Sequence, residues 1–382
     1  MFVRSFLVIL TCVAVTEQRR AAFGPRQMAL QSGPECSVRP CEDRECWPYT
    51  ITTSNNFDLA SRNVTHAHLV FSMNHTVEFG RGTLPRDLGG QALVRVLMSV
   101  RYAPQRRLPT GFFINLARLR SLQLYHDAPD WDHFSLRLSE GTFEGLSDVV
   151  ELELAQLGIE DLPAGVFSSL RSICRLDLSQ NRLAIIRSDV FQPSPVSIQD
   201  NSTVNHCCLN LTILSLSRNR FVDVADVHLG GLTSLQSVDL SENVIASLNR
   251  DSFGDRSDSG GFAEVKQLDL ALNVIDHVEE SAFERLDRLR VLYLDSNMIG
   301  NVTASAFEGL SALKTLDLSG NSISELRSGV FAPLSSLRVL HLAENAIDAI
   351  HTGIVQYRSS NGSSRSSSSS IITISSGFAL CS

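Results

Sequence analysis

After its first sixteen residues the chain has no apolar run of about eighteen residues, so no later segment is expected to cross a bilayer as a helix. It also has no excess of positive charge. The 33 Lys and Arg stand against 41 Asp and Glu, a net charge of −8, which argues against a nucleic-acid partner held by phosphate neutralisation. No Cys-x2-Cys pair, Ser-His-Asp order, Gly-rich phosphate loop or HExxH segment occurs. The chain is therefore not expected to be an enzyme or to hold a metal or cofactor.

What is present begins with a leader. Residues 1–16 read MFVRSFLVILTCVAVT, with Arg4 ahead of an apolar run from Phe6 to Val15. That run is too short to span a bilayer and reads as a secretory signal, here taken as 1–20, followed by a linker over 21–35. Export places the cysteines in an oxidising compartment, where disulfides form. Of eight cysteines Cys12 leaves with the leader, so an odd seven remain, and at least one stays outside any intrachain bridge. Asn63, Asn74, Asn201, Asn210, Asn301 and Asn361 each open an Asn-x-Ser/Thr acceptor, as expected of a secreted glycoprotein.

The body of the chain is periodic. "LRVLYLDSNMIGNV", "LKTLDLSGNSISEL" and "LRVLHLAENAIDAI" fit one template, LxxLxLxxNxIxx plus an aliphatic, which is the leucine-rich-repeat pattern. Its asparagines fall at Asn181, Asn219, Asn243, Asn273, Asn297, Asn321 and Asn345, with gaps of 38, 24, 30, 24, 24 and 24. A second column keeps the same rhythm: Phe113, Phe143, Phe167, Phe191, Leu229, Phe253, Phe283, Phe307 and Phe331. The expected fold is an α/β-type solenoid, a horseshoe with a parallel concave sheet of about ten strands and an irregular convex side. Its inward pairs start at Met98, Leu122, Leu152, Leu176, Leu214, Val238, Leu268, Leu292, Leu316 and Leu340. The buried asparagines should satisfy backbone groups where the chain leaves the strand. Asp127 and Leu157 interrupt that ladder.

A single coil buries too little to fold alone, so both ends need covering. Residues 36–90 form the expected N-terminal cap, opened by Cys36, Cys41 and Cys46 and carrying a candidate edge strand, "HAHLVFSM". A disulfide cap is preferred to a metal held by these cysteines with His66 and His68. Repeats run over 91–355, with insertions near 128–142, 192–207 and 254–261. Residues 356–382 are Ser-rich and expected to be disordered, leaving the last coil bare. The expectation that follows is a truncated or alternatively spliced form of a longer protein.

Three groups of residues are candidates for function. "YHDAPDWDHF" gathers His126, Asp127, Asp130, Asp132 and His133, which reads as a solvated insertion in preference to a metal site. The residues expected to line the concave face include Arg101, Tyr125, Glu153, Asp177, Asp239, Asp269, Tyr293, Asp317 and His341. Their acids read either as a common repeat spelling, "LDLS", or as an electronegative stripe that steers a basic partner. Between Leu88 and His126 no acid occurs, while Arg95, Arg101, Arg106, Arg107, Arg118 and Arg120 form a basic shoulder. That shoulder is either solvated or a dock for an acidic segment or glycan. In "NSTVNHCCLNL" the spacing makes Cys208 a core residue and leaves Cys207 outward, with Cys174, in a slot expected to be exposed, as its bridging candidate.

The stretch from Cys36 to Val355 resembles the N-terminal part of an arthropod Toll receptor ectodomain of the long Tollo type. The residues that carry the resemblance are the irregular ones: "THAHLVFSMN" before the first repeat, "LYHDAPDWDHFSLRLSEGTF" as an elongated early repeat, and "NSTVNHCCLNL" as a cysteine-ended insertion. The resemblance implies a receptor region that binds secreted cystine-knot cytokines or cell-surface partners in immunity or development. A receptor dimer is an option it leaves open, and the location would be secreted or on the outer face of the plasma membrane. Such receptors continue into a membrane helix and a TIR domain, which these residues do not contain. The rival reading is a secreted or cell-surface adhesion or matrix repeat protein.

Overall fold

An inward pair of aliphatics separated by one outward residue places a short extended segment in every coil, because alternate side chains of a strand point to opposite faces. In the computed structural model, which describes residues 50–52, 66–70, 95–99, 107–126, 134–192, 208, 210–254, 261–303, 305–350 and 371–373, these segments stack into one sheet. The strands in chain order are β1 (Thr50–Thr52), β2 (His66–Val70), β3 (Arg95–Ser99), β4 (Ser121–Tyr125), β5 (Glu151–Glu153), β6 (Arg175–Asp177), β7 (Ile213–Ser215) and β8 (Ser237–Asp239). They continue with β9 (Ser247–Leu248), β10 (Gln267–Asp269), β11 (His277–Val278), β12 (Val291–Tyr293), β13 (Thr315–Asp317), β14 (Glu325–Leu326), β15 (Val339–His341), β16 (Ala349–Ile350) and β17 (Ile371–Thr373).

The sheet runs β1-β2-β3-β4-β5-β6-β7-β8-β10-β12-β13-β15-β17, parallel throughout. The inward pairs lie side by side: Leu152 beside Leu176, Leu214 beside Val238, Leu292 beside Leu316 and Leu316 beside Leu340. The opposite side is irregular, with two-stranded pieces β9–β11 and β14–β16 and 3-10 turns at Val224–Asp226 and Gly261–Glu264. This is the expected horseshoe. The insertions leave the sheet intact, since Arg175 pairs with Ile213 and Ser237 with Gln267 across them.

Two repeating devices fasten each coil to the one before. Asn181, Asn219, Asn243, Asn273, Asn297, Asn321 and Asn345 are all buried. Asn297 shows what each does: its Nδ2 donates to Leu270 O at 2.9 Å and Leu294 O at 3.1 Å, while its Oδ1 accepts from Ile275 N at 3.0 Å. One amide thus pairs backbone groups of two coils that would otherwise be buried without partners. The residue ahead of each ladder position is left-handed. Gln180, Arg218, Glu242, Leu272, Ser296 and Glu344 have φ between 55° and 57°, and Gly320 stands at 66°. That conformation costs a non-glycine residue about 1–2 kcal/mol. It aims the amide at the next coil, as in Gln180 N to Ser217 O at 2.8 Å and Ser296 N to Ser319 O at 2.8 Å.

The phenylalanine column packs as two stacks. Phe113, Phe143, Phe167 and Phe191 follow one another with ring centroids 6.0, 5.9 and 5.7 Å apart. Phe253, Phe283, Phe307 and Phe331 follow at 5.7, 6.2 and 5.9 Å. Leu229 interrupts the series, and Phe262 sets its ring edge-on to Phe253 at 5.3 Å just beyond the break. One glycine is fixed by contact: at Gly158, with φ of 62°, a Cβ would lie 2.1 Å from Phe134 O. The elongated early repeat presses its backbone onto the following coil there.

Three expectations are corrected. The first inward pair is Val96 and Met98, not a pair beginning at Met98, because Val96 lies beside Leu122 and Met98 beside Leu124. Residues 94, 96, 98 and 100 are all aliphatic or Met, so a shift of two keeps the buried face and the sequence pattern accepts either register. The cap contributes two strands, β1 as well as the expected β2. The tail is not without structure: β17 lies against β15, with Ile372 beside Leu340, so the last repeat strand is covered. The β-branched run Ile371-Ile372-Thr373 suits a pleated edge even though serines surround it.

Candidate binding surface

The concave face presents the residue that stands between the two inward positions of each coil. In register across the sheet these are Leu97, Gln123, Glu153, Asp177, Ser215, Asp239, Asp269, Tyr293, Asp317 and His341. The corrected register places Ser99 beside Tyr125, so Arg101 is not the counterpart of Tyr125. Arg101 lies outside the described residues.

The acids are of two kinds. Asp177, Asp239, Asp269 and Asp317 each accept a hydrogen bond from the backbone two residues on, at Ser179 N (2.9 Å), Ser241 N (2.9 Å), Ala271 N (3.0 Å) and Ser319 N (3.0 Å). Ser241 Oγ adds a bond to Asp239 at 2.6 Å, and Ser319 Oγ adds one to Asp317. These carboxylates close the turn that leaves the strand, which is why the repeat spells "LDLS". Asp269 and Asp317 are buried by that role. Burial also raises the Asp239 carboxyl above its usual range, with the Ser241 bonds opposing and the nearby Asp177 adding.

Glu153 differs. It makes no such turn but accepts from Gln123 Nε2 at 2.7 Å across the sheet. Burial pushes its carboxyl from 4.5 up to about 7, and the facing Asp177 adds to the rise against Gln123 and Arg175. Of the candidate contact residues, Tyr125, Glu153, Tyr293 and His341 are half-buried and reach the concave surface. Sequence reasoning passed over the column two residues earlier in each coil. It holds Arg175, Gln267, Val291, Thr315 and Val339 on the same face, and the two-residue alternation that named the first column would have given it.

Elsewhere the candidates separate. In the basic shoulder Arg107, Arg118 and Arg120 are exposed, with Arg107 Nε donating to Ser139 Oγ at 2.9 Å. Arg95 opens β3 beside Ser121, and Arg106 lies outside the described residues. His126 stacks on Phe134 with centroids 3.9 Å apart; Asp127, Asp130, Asp132 and His133 are outside the described residues. Of the glycan acceptors Asn210 and Asn301 are exposed, while Asn63, Asn74, Asn201 and Asn361 are not described. Cys208 is buried in the core and its Sγ lies 3.7 Å from Phe167 O. Cys174 is disulfide-bonded and only 6% exposed, where an exposed residue was expected. Its partner lies outside the described residues, where Cys36, Cys41, Cys46 and Cys207 also fall.

A leucine-rich-repeat family model matches residues 210–257 and 287–347. Among curated relatives, human "Leucine-rich repeats and immunoglobulin-like domains protein 3" is 31% identical over 133 residues, 32% of this chain and 11% of that one. Human lumican is 28% identical over 204 residues, 49% of this chain and 56% of lumican. Among solved structures, a TLR13–ssRNA13 complex aligns with a TM-score of 0.56 at 25% identity over 73% of this chain and 36% of that one. The glycosylated Drosophila Toll–Spatzle complex aligns with a TM-score of 0.54 at 22% identity over 75% and 37%. The chain therefore carries a leucine-rich-repeat horseshoe related, at moderate identity, to those of Toll-type and other leucine-rich-repeat proteins. It spans only a fraction of the length of each. No helix among the described residues is long and apolar enough to cross a membrane.

Proposed function

We propose that this horseshoe is the extracellular ligand-recognition region of a Toll-type receptor, of the arthropod Tollo kind, and that it binds a secreted cytokine-like or cell-surface protein. The observation that carries the reading is the concave face, an uninterrupted registered sheet that presents Tyr125, Glu153, Tyr293 and His341. The likeness to the Toll of a Toll–Spatzle complex supports a protein as the ligand. Asn63, Asn74, Asn201, Asn210, Asn301 and Asn361 are proposed to carry glycans, consistent with the exposure of Asn210 and Asn301. The match to lumican supports a second reading, a secreted matrix or adhesion protein.

One experiment separates them. The secreted chain is immobilised and probed with a panel of purified cystine-knot cytokines, receptor ectodomains and matrix proteins. The expected outcome is capture of a cytokine or ectodomain that a Tyr293→Ala/His341→Ala/Glu153→Lys variant, shown to be folded by circular dichroism, no longer binds. Capture of matrix proteins alone would favour the second reading, and binding untouched by the triple variant would remove the concave face from the account.

A further inference from the structure

Two residues ahead of each inward pair, Lys266, Arg290, Lys314 and Arg338 occupy one column in four successive coils. Their backbones are hydrogen-bonded to one another in series: Arg290 N to Lys266 O, Lys314 N to Arg290 O, and Arg338 N to Lys314 O, each at 2.8 Å. Four side chains of one sign therefore stand a strand spacing apart, about 4.8 Å. Arg290 and Arg338 are exposed, and Lys266 and Lys314 half-exposed. No ion pair among the described residues includes any of the four; Lys266 Nζ donates to the neutral Gln236 Oε1 at 3.1 Å. Of the acids close by, Glu264 is held by Arg288 and Asp287 points to solvent. Gln267, Val291, Thr315 and Val339 border the column on the concave side, and Ala312 and Ser336 lie on the other.

Like charges in directly adjacent strands repel, and the rigid sheet holds them together regardless. We propose that this ladder, along the rim of coils 266–338, is a binding site for a linear sulfated polysaccharide. Its straight run of cations matches a polymer that carries anions at short, regular intervals. The bordering column offers no aromatic platform of the kind on which single-stranded nucleic acid stacks its bases. Nor does it offer an aromatic anchor of the kind that dominates protein interfaces. The extracellular reading above says only where such a polymer would be met; the ladder binds it or fails to whatever the concave face recognises.

The test is affinity of the whole secreted chain for a heparin-derived oligosaccharide across a salt series. The variant Arg290→Ser/Lys314→Ser/Arg338→Ser is set against Arg171→Ser/Arg220→Ser/Arg327→Ser, which removes the same charge from exposed positions off the ladder. The expected outcome is that the ladder variant lowers the slope of log affinity against log salt by about two to three, as the loss of three ionic contacts requires, while the control hardly changes it. Equal loss in both variants, or no binding by the native chain, would overturn the proposal. So would equally tight, ladder-dependent binding of single-stranded RNA or polyglutamate of matched charge. Circular-dichroism melting curves within a few degrees of native show that the variants are folded.

Discussion

Glu153 carries the sharpest residue-scale prediction. Its carboxyl is raised to about 7 in the folded chain from 4.5, so between these values the unfolded chain has released a proton that the folded chain keeps. Stability must therefore fall as pH rises through this window and level off above it. Glu153→Gln removes the effect. The variant should match the native chain at pH 4.5 and exceed it at pH 8 by up to about 3 kcal/mol, the ceiling set by the size of the shift. Urea denaturation at the two pH values checks this, and a gain of equal size at both would contradict it. The neighbouring aspartates are held differently, each by a backbone N–H two residues on, as Asp177 is by Ser179 N at 2.9 Å. The alternation of the strand placed Glu153 and these aspartates on one face. It could not distinguish a turn-closing carboxylate from a desolvated one, which depends on burial and on the partner across the sheet.

The coil carrying the long insertion is the informative element. Its strand pairing is undisturbed, Arg175 beside Ile213, although 193–207 separate them from the regular repeat. Loop closure is cheap, about 0.6 kcal/mol per doubling of length, so the excursion is tolerated. Cys174, already bridged at its base, is predicted to join Cys207. Peptide mapping of the non-reduced protein should recover Cys174 and Cys207 in one linked species, and recovery of Cys174 linked to Cys36, Cys41 or Cys46 would refute it. Cys207→Ser should then lower stability by about 3–4 kcal/mol, the chain-entropy value for a loop of this size. The sequence identified Cys208 as a core residue because it falls on an inward position of the period. It misjudged Cys174 as exposed because the same slot holds Lys or Arg in later coils, and a bridge buries what a cation would leave in water.

The described repeats form a stack in which each coil is covered by its neighbours, so the weakest points of such a stack are its ends. β17 covers β15 with Ile372 beside Leu340. A chain ending at Val355 should therefore fray from its C-terminal coil: amides of β13 and β15 should exchange faster with deuterium while those of β5 and β6 hardly change. Unchanged exchange in β15 would show that β17 has no stabilising role. A solenoid transmits such damage only to adjacent coils, which makes the gradient along the chain the diagnostic quantity.

The sequence by itself determined the period, the inward aliphatics, the asparagine ladder and the phenylalanine column, because each is repeated and each repeat places one residue type in one environment. Asn297 and Phe283 could be assigned their places from spacing alone. Tertiary structure decided what happens once. The first coil's register was open because Val96 and Met98 both satisfy the pattern, and only the neighbouring strand chose between them. The tail's strand was hidden by its serines until an uncovered sheet edge gave three β-branched residues a partner. The column of Lys266, Arg290, Lys314 and Arg338 was visible as letters, but it became one surface only when backbone hydrogen bonds set those residues side by side. Periodic features are local in physical cause and so are written in the chain, whereas register, end-covering and charge alignment depend on which segment becomes the neighbour.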